Sequence, residues 1–384
     1  MSAHRYPQFD NDNPFVIITS DEPWCDVWHT QLHYAHHLSK MMNVVFIDPP
    51  SPWGLLNILY PRKSAKRISD SLLVVKYLNV IPSFLGNFSV WLNDRITQAF
   101  VANITRGLSR TNPSVVWHFD RYRSVYLYKQ AKFVKHLYHV IDPVANLNFD
   151  EYLAVNSDLV ISVSSRYMSH YLKLNPETVH FGQGYDSGSH SEKNIEINTN
   201  YQGSIVLLGS FLNDVDYELL IRIANNFPNR KLVLIGPDKT SMNDRADLFK
   251  ELCGLSNVEW TGPLPPEKHL PILRSSSVCL IAYDTTGKVL KKDRIFGTPL
   301  KVISYLACHK PVVTNIDCEI PSLVGKAIYY AIDAESYLDF IRSLLENEIV
   351  LDSSKVDAYL ESISYEKIIG NVFERLQIQI PSRQ

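Results

Sequence analysis

The chain has 384 residues, 45% of them hydrophobic, and a formal net charge of −2 at pH 7. That length predicts two domains, each large enough for its own core. The near-neutral charge excludes a general nucleic-acid binder, which needs a large basic field.

The five cysteines (Cys25, Cys253, Cys279, Cys308 and Cys318) are scattered without a Cys-x-x-Cys pair. They read as reduced, mostly buried thiols of a cytosolic protein without a structural zinc site. The polar start MSAHRYPQFDNDNP shows no signal-peptide pattern. No apolar run reaches the ~18–20 residues of a membrane span, because Lys76, Asn79 and Pro82 interrupt the best candidate. The expectation is a soluble or at most peripheral protein.

Phe15–Thr19 reads as the first strand, followed by the loop SDEPWCDVWHT, a helix with Leu32, Ala35, His36 and Leu38, and a strand at Val44–Ile47. Strand, helix, strand predicts a parallel pair with a right-handed crossover. Ligands of such sheets sit outside the carboxyl ends of the strands, which puts Asp21, Trp24, Trp28 and His29 at the expected binding edge. A packed aromatic loop with His29 merely hydrogen-bonded accounts for the same letters. From Pro49 to Arg67, Trp53, Leu55, Leu56, Ile58, Leu59 and Tyr60 stand beside Arg62, Lys63, Lys66 and Arg67. An interfacial membrane contact needs that combination, and a helix buried against the sheet with a solvated basic end explains it equally.

Leu72–Val75 reads as a strand and Asn93–Leu108 as a helix. Val115–Phe119 and His136–Ile141 are further apolar strands, each closed by a carboxylate, Asp120 and Asp142. A carboxylate there is placed for general base chemistry, or it caps the loop. After the strand Asp158–Val163 and a Ser-capped helix, Thr178–Phe181 leads into Gly182-Gln183-Gly184 and a long polar stretch. The domain boundary is placed at 184/185, with Gly182 and Gly184 suited to a hinge.

The second domain restarts the alternation, with strands at Ile205–Leu208, Lys231–Ile235, Val258–Trp260, Val278–Tyr283, Val312–Thr314 and Ile328–Tyr330. Gly209-Ser210 follows the first of these and would let backbone approach a ligand. Asp214-Val215-Asp216 reads as acidic first-turn helix residues, favourable to the dipole, and not as a metal motif. No cluster of metal ligands appears. Helices are expected at 333–348, 356–360 and, amphipathic with Ile368, Ile369, Val372, Phe373 and Leu376, at 365–379.

The densest stretch is SVCLIAYDTTGKVLKKDRIFGTPLKVISYLACHKPVVTN, Ser277 to Asn315. A buried strand is followed by a basic loop, then by Thr298-Pro299 as N-cap and first helical residue, then by Leu300, Ile303 and Leu306 at helical spacing and another strand. Free amides and the helix dipole at Thr298–Lys301 would favour a phosphate. An ordinary βαβ unit with solvated lysines accounts for the pattern as well.

TPLKVISYLACHKPVV resembles the donor-site signature of the GT-B glycosyltransferases, the nucleotide-sugar-dependent enzymes with two Rossmann-like domains. The likeness covers the C-terminal half well and the N-terminal half more loosely. Where that family usually has a ribose-binding Glu, this chain has Ser304, which without charge should hold more weakly. Among members lacking the Glu, the pattern is most similar to the xanthan-type glucuronosyltransferase, which also has a Tyr ending the strand and a Lys opening the helix, like Tyr283 and Lys301.

The resemblance implies an α/β fold of two Rossmann-like domains facing across a cleft. Residues 1–184 form the acceptor side, 185–362 the donor domain, and 363–384 a helix crossing back to the first domain. It implies a UDP-sugar donor, a hexose or hexuronic acid, and a saccharide or lipid-linked saccharide acceptor in surface polysaccharide synthesis. The protein would be cytoplasmic or peripheral on the inner membrane face, with residues 53–67 as the membrane contact, and would need no cofactor or metal. Gly209, Ser210, Tyr283, Arg294, Thr298, Pro299, Leu300, Lys301 and Ser304 would bind the donor, Arg294 or Lys292 pairing with a uronate. Asp142 matches the proposed catalytic base of an inverting displacement, with Asp21, Trp28, His29 and Asp120 on the acceptor side. The rival readings are a catalytically inactive GT-B nucleotide-sugar-binding or partner protein, which Ser304 favours, and a sugar-nucleotide epimerase of the same fold.

Overall fold

The computed structural model describes residues 9, 13–25, 29–50, 65–82, 86–106, 108, 112–141, 149–188, 197–286 and 297–379. The chain divides into two compact units, residues 1–184 with 365–384, and residues 185–364.

The first unit is built on an eight-stranded sheet. Its strands are β1 (Phe15–Thr19), β2 (Asn43–Asp48), β3 (Ala65–Ser69), β4 (Leu72–Lys76), β5 (Val115–His118), β6 (Lys135–Val140), β7 (Leu159–Ser162) and β8 (Thr178–His180). The order is β3-β4-β2-β1-β5-β6-β7-β8, and every pairing is parallel except β3 with β4. Runs such as FVIIT are buried at every position, as strands covered on both faces require. The covering helices are α1 (Thr30–Ser39), α2 (Asn87–Ile104), α3 (Asp150–Asn156) and α4 (Met168–Leu174).

The carboxy-terminal helix Tyr365–Arg375 belongs to this unit, and its Ile368, Ile369, Val372 and Phe373 share one core with Leu32, Tyr34 and Leu38 of α1. Tyr365 is stacked on His33 and His37, and its ring lies against Gly184 so closely that a Cβ there would meet it at 2.2 Å. A side chain at 184 would force the Tyr365 ring to shift.

One expectation is corrected here. The end of the Pro49–Arg67 stretch is not the basic end of a helix: Lys66 and Arg67 lie in the edge strand β3, antiparallel to β4, with Ala65 turned inward and the rest exposed. Arg67 reaches back to Asp70 across the turn at 2.7 Å. Charged side chains on such an edge blunt it against further pairing. Residues 53–64 lie outside the described residues.

The second unit has a six-stranded parallel sheet, order β11-β10-β9-β12-β13-β14. The strands are β9 (Ile205–Leu208), β10 (Leu232–Ile235), β11 (Val258–Gly262), β12 (Val278–Ile281), β13 (Val312–Thr314) and β14 (Ile328–Tyr330). Its helices are α5 (Tyr217–Asn226), α6 (Asn243–Cys253), α7 (Pro266–Ser275), α8 (Leu300–Ala307), α9 (Ala334–Leu345) and α10 (Ser353–Ser362), and the carboxy-terminal helix of the first unit is α11.

Among the parallel strands of each sheet the order reverses once, between β1 and β5 and between β9 and β12. The second reversal is partly open, since β9 and β12 pair only at Ile205–Val278 and Val206–Cys279. The buried Tyr305 of α8 fills the gap beyond: its hydroxyl accepts from the Leu208 amide at 2.8 Å and donates to the Leu280 carbonyl at 3.2 Å. A residue of the candidate helix thereby splints the strands that flank the crevice.

Candidate donor site

Ligands of open α/β sheets gather at the carboxyl edge where strand order reverses, and in the second unit three of the expected donor residues meet there. Gly209 leaves β9 with φ 137°, a conformation side chains resist. A Cβ on it would lie 2.9 Å from the Lys301 ammonium, so the bare backbone is what admits the lysine. That ammonium also sits 5.2 Å from the centre of the Tyr283 ring, within cation–π range.

Lys301 is half-buried. Burial pushes its pKa down to about 8, against the opposing pull of the Asp214 carboxylate. A desolvated cation beside bare backbone is a poor state for the free protein and a good one for receiving an anion.

The backbone of this corner is fixed by side chains. Asn315, just past β13, donates from its amide to the Tyr283 carbonyl at 2.6 Å and accepts from the Tyr283 amide at 3.1 Å. Residues 214–216 run antiparallel to 282–284, through Asp284 N to Asp214 O at 2.8 Å and Asp216 N to Ala282 O at 3.2 Å. Asp284 is buried in an ion pair with Arg245 of α6 at 2.5 Å, and the Thr286 amide and hydroxyl bond its other oxygen. These contacts hold its carboxyl below the ordinary range against the cost of burial.

Two local readings are corrected. Thr298 is not the N-cap: its hydroxyl donates to the Cys318 carbonyl at 2.5 Å, and extended Pro299 (ψ 138°) takes the cap position, so the helix starts at Leu300. Among the described residues no side chain caps this end, which leaves first-turn amides for a ligand. Ser304 lies half-buried one turn further on. Asp214 is not a first-turn residue either. Asp216 is the N-cap of α5, accepting from Leu219 N at 2.9 Å, and Asp214 is buried two residues earlier.

In the first unit Asp21 accepts from the Gln31 side-chain amide at 2.9 Å, and His29 precedes α1 without a side-chain cap bond. Asp120 caps its loop: it accepts from the amides of Tyr122 and Arg123 and is ion-paired with the Arg123 guanidinium at 2.8 Å. Burial nonetheless pushes its carboxyl up to about 6. Trp28, Asp142, Lys292 and Arg294 lie outside the described residues.

Sequence reading missed the roles that Asp214, Asn315, Tyr305 and the Arg245–Asp284 pair play here. Among the described residues no three His, Cys, Asp or Glu side chains converge as metal ligands, and no helix is long and apolar enough to cross a membrane.

Residues 202–347 match the family model described as Glycosyl transferases group 1. The chain is 26% identical over 155 residues to TuaH of Bacillus subtilis (strain 168), whose name places it provisionally among teichuronic acid biosynthesis glycosyltransferases. That match covers 40% of this chain and 36% of TuaH, so little more than a third of the relative is spanned. Among solved structures, Anabaena Alr3699/HepE in complex with UDP and glucose is similar with a TM-score of 0.62 at 12% identity, covering 95% of this chain and 99% of that one. OtsA in its apo form gives 0.66 at 10% identity, covering 96% and 100%. Sucrose-phosphate synthase from Thermosynechococcus elongatus gives 0.63 at 15%, covering 95% and 99%. The chain therefore has the GT-B fold, and its residues 202–347 are similar to the group 1 glycosyl transferases.

Proposed function

We propose that the protein transfers a hexose or hexuronic acid from a UDP-sugar to a saccharide or lipid-linked saccharide during surface polysaccharide synthesis. The observation that carries this reading is the Lys301 ammonium, half-buried between Gly209 and the Tyr283 ring at the open strand reversal of a group 1 domain. Charge accumulates on the leaving diphosphate in the transition state, and fixed donors that need no reorganisation lower its energy. Lys301 and the uncapped amides opening α8 would supply them, with Ser304 toward the ribose and Gly209-Ser210 against the phosphates. Arg294 or Lys292 would face a uronate, and Asp142 would take the proton of the acceptor hydroxyl in an inverting, metal-independent displacement.

The UDP and glucose bound by HepE support a UDP-hexose donor. The name of TuaH supports a polysaccharide product. The test is incubation of the purified chain with radiolabelled UDP-glucose, UDP-glucuronic acid and other nucleotide sugars, with and without membrane lipid extract. Label transferred to the extract supports the reading. Donor binding without turnover in any combination would reduce the protein to a nucleotide-sugar binder, as the absent Glu at 304 allows. Absence of donor binding would remove the reading altogether.

A further inference from the structure

Helix α2 fastens two loops at the carboxyl edge of the first sheet, and it does so by different chemistry. Asn93 accepts from the amides of Val80 and Ile81 at 2.9 and 2.8 Å and donates to the Asn79 side chain and the Ile81 carbonyl. Thr97 accepts from Leu78 N at 3.0 Å. The loop after β4 is thus held by neutral side chains. The loop after β5 is held by a carboxylate: fully buried Asp94 accepts from Ser124 N at 3.0 Å, from Tyr126 N at 2.7 Å and from the Tyr77 hydroxyl at 2.7 Å.

A second buried carboxylate, Asp120, takes the amides of Tyr122 and Arg123. The amides of residues 122, 123, 124 and 126 therefore all end on Asp94 or Asp120. Ser124 is bent to φ 63° and buried, a conformation that costs a residue with a side chain. Charge is costly here too. Burial pushes the Asp94 carboxyl up to about 7 and that of Asp120 up to about 6, while one turn of helix away a neutral amide does the same kind of work.

The loop held in this way presents Arg121, half-buried, and Tyr122, 44% exposed, with the guanidinium 5.9 Å from the ring centre. It leaves β5, one strand of the reversal in the first sheet, where a ligand of that sheet would sit. An exposed tyrosine face packs on a sugar ring, and a guanidinium fork donates to its oxygens.

We propose that Asp94 is a positioning residue: through the amides of Ser124 and Tyr126 it sets the loop conformation in which Arg121 and Tyr122 meet the acceptor. The acceptor's part in this rests on the glycosyl-transfer reading above, whereas the hold on the loop does not.

The test pairs hydrogen exchange on the full chain with transfer from a radiolabelled UDP-sugar to titrated membrane lipid extract. At pH 8, Asp94→Asn replaces one acceptor oxygen by a donor, so an amide of the loop loses its partner. Exchange over 121–127 should quicken about tenfold, the weight of one hydrogen bond to a charged group, and exchange over 78–82 should not change. The extract needed for half-maximal transfer should rise by a similar factor, with maximal rate and UDP affinity held. In the wild type, both readouts should move the same way as pH falls through about 7, when protonation removes an acceptor from the three donors. The groups around Asp94 are Tyr77 from the end of β4 and Asp120, Arg123 and Tyr126 from the loop, while Arg95 of α2 is turned to Gln130. Tyr77→Phe removes a donor to the charged form and should move the midpoint to higher pH. Should Asp94→Asn not fold, that shift decides, and an unmoved midpoint overturns the proposal. A folded Asp94→Asn with unchanged exchange over 121–127, or with unchanged half-saturation, overturns it as well. Absence of transfer by the wild-type chain would instead remove the glycosyl-transfer reading, and the acceptor role of Asp94 with it.

Discussion

The two sheet reversals use the same topology for opposite electrostatics. At the edge of the second sheet β9 and β10 end in bare backbone, Gly209 and Gly236 with positive φ, beside the desolvated ammonium of Lys301, while the carboxylates there, Asp214 and Asp284, are buried. Between β1 and β5 the strand ends carry carboxylates, Asp21 and Asp120, each held by hydrogen bonds from its own unit. An edge of amides and one cation suits a diphosphate. Carboxylates backed by donors suit hydroxyl groups, which they can orient or deprotonate. A shared architecture thus fixes where a ligand sits, and the residues in the first two or three positions after each strand fix its charge.

The comparison breaks first at Asp142. Asp142→Asn keeps the side-chain shape without a proton acceptor, and should lower turnover about 10²–10⁴-fold with UDP affinity unchanged by calorimetry. Asp120→Asn should instead cost thermal stability through the lost Arg123 pair. If Asp120→Asn abolishes transfer and Asp142→Asn does not, the base has been assigned to the wrong carboxylate.

Next comes Gly236→Ala. The added Cβ would lie 1.9 Å from the Gly209 carbonyl oxygen, at φ 142°. Strain alone should cost roughly 1–3 kcal/mol, visible as a lower Tm together with weakened UDP binding. A variant of unchanged Tm would mean that the bare edge is dispensable.

Lys301→Ala should cost UDP binding roughly 1.5–3 kcal/mol, the value of a charge-assisted hydrogen bond. With the free-protein pKa lowered to about 8, wild-type affinity should be full below pH 8 and fall as pH rises through it, while the Ala variant stays flat. Stability runs the other way. Above pH 8 the folded lysine binds fewer protons than the unfolded one, so the cost of burying its charge is complete below pH 8 and fades as pH rises toward 10.5. Lys301→Met should therefore raise the Tm of the ligand-free protein at pH 7. A UDP affinity that ignores both substitutions would move the donor elsewhere.

The smallest effect is Ser304→Glu, which should hold or modestly tighten UDP binding. A large loss would place the ribose away from this turn of α8.

The parallel strands were legible because sheets covered on both faces need continuous apolar runs, and VCLI, IVLL and LVLI are such runs. Lys301 and Tyr283 were legible because strand end and helix start are local signals. Asn315 and Asp214 were not: each acts on a partner about 30 residues or more away, across a sheet edge that sequence spacing does not encode. Thr298 misled for a related reason. Thr-Pro is a good local cap signal, and a tertiary acceptor, the Cys318 carbonyl, took the hydroxyl instead. Strand β3 was hidden because KRIS next to a turn has no apolar run, and only its pairing with β4 makes it a strand.

The backbone leaves the first unit at Gly184 and re-enters at Tyr365, and the two connections are tied together: Tyr185 N donates to Ile363 O at 2.9 Å, beside a Tyr185–Ser364 bridge. Residues 185–364 are thus one uninterrupted insertion whose two ends touch. Recombination that exchanges this single segment would exchange Gly209, Tyr283 and Lys301 together, while α11 and its core stay with the host. A chain joined in this way can have its whole second unit replaced in one genetic event, as a cassette.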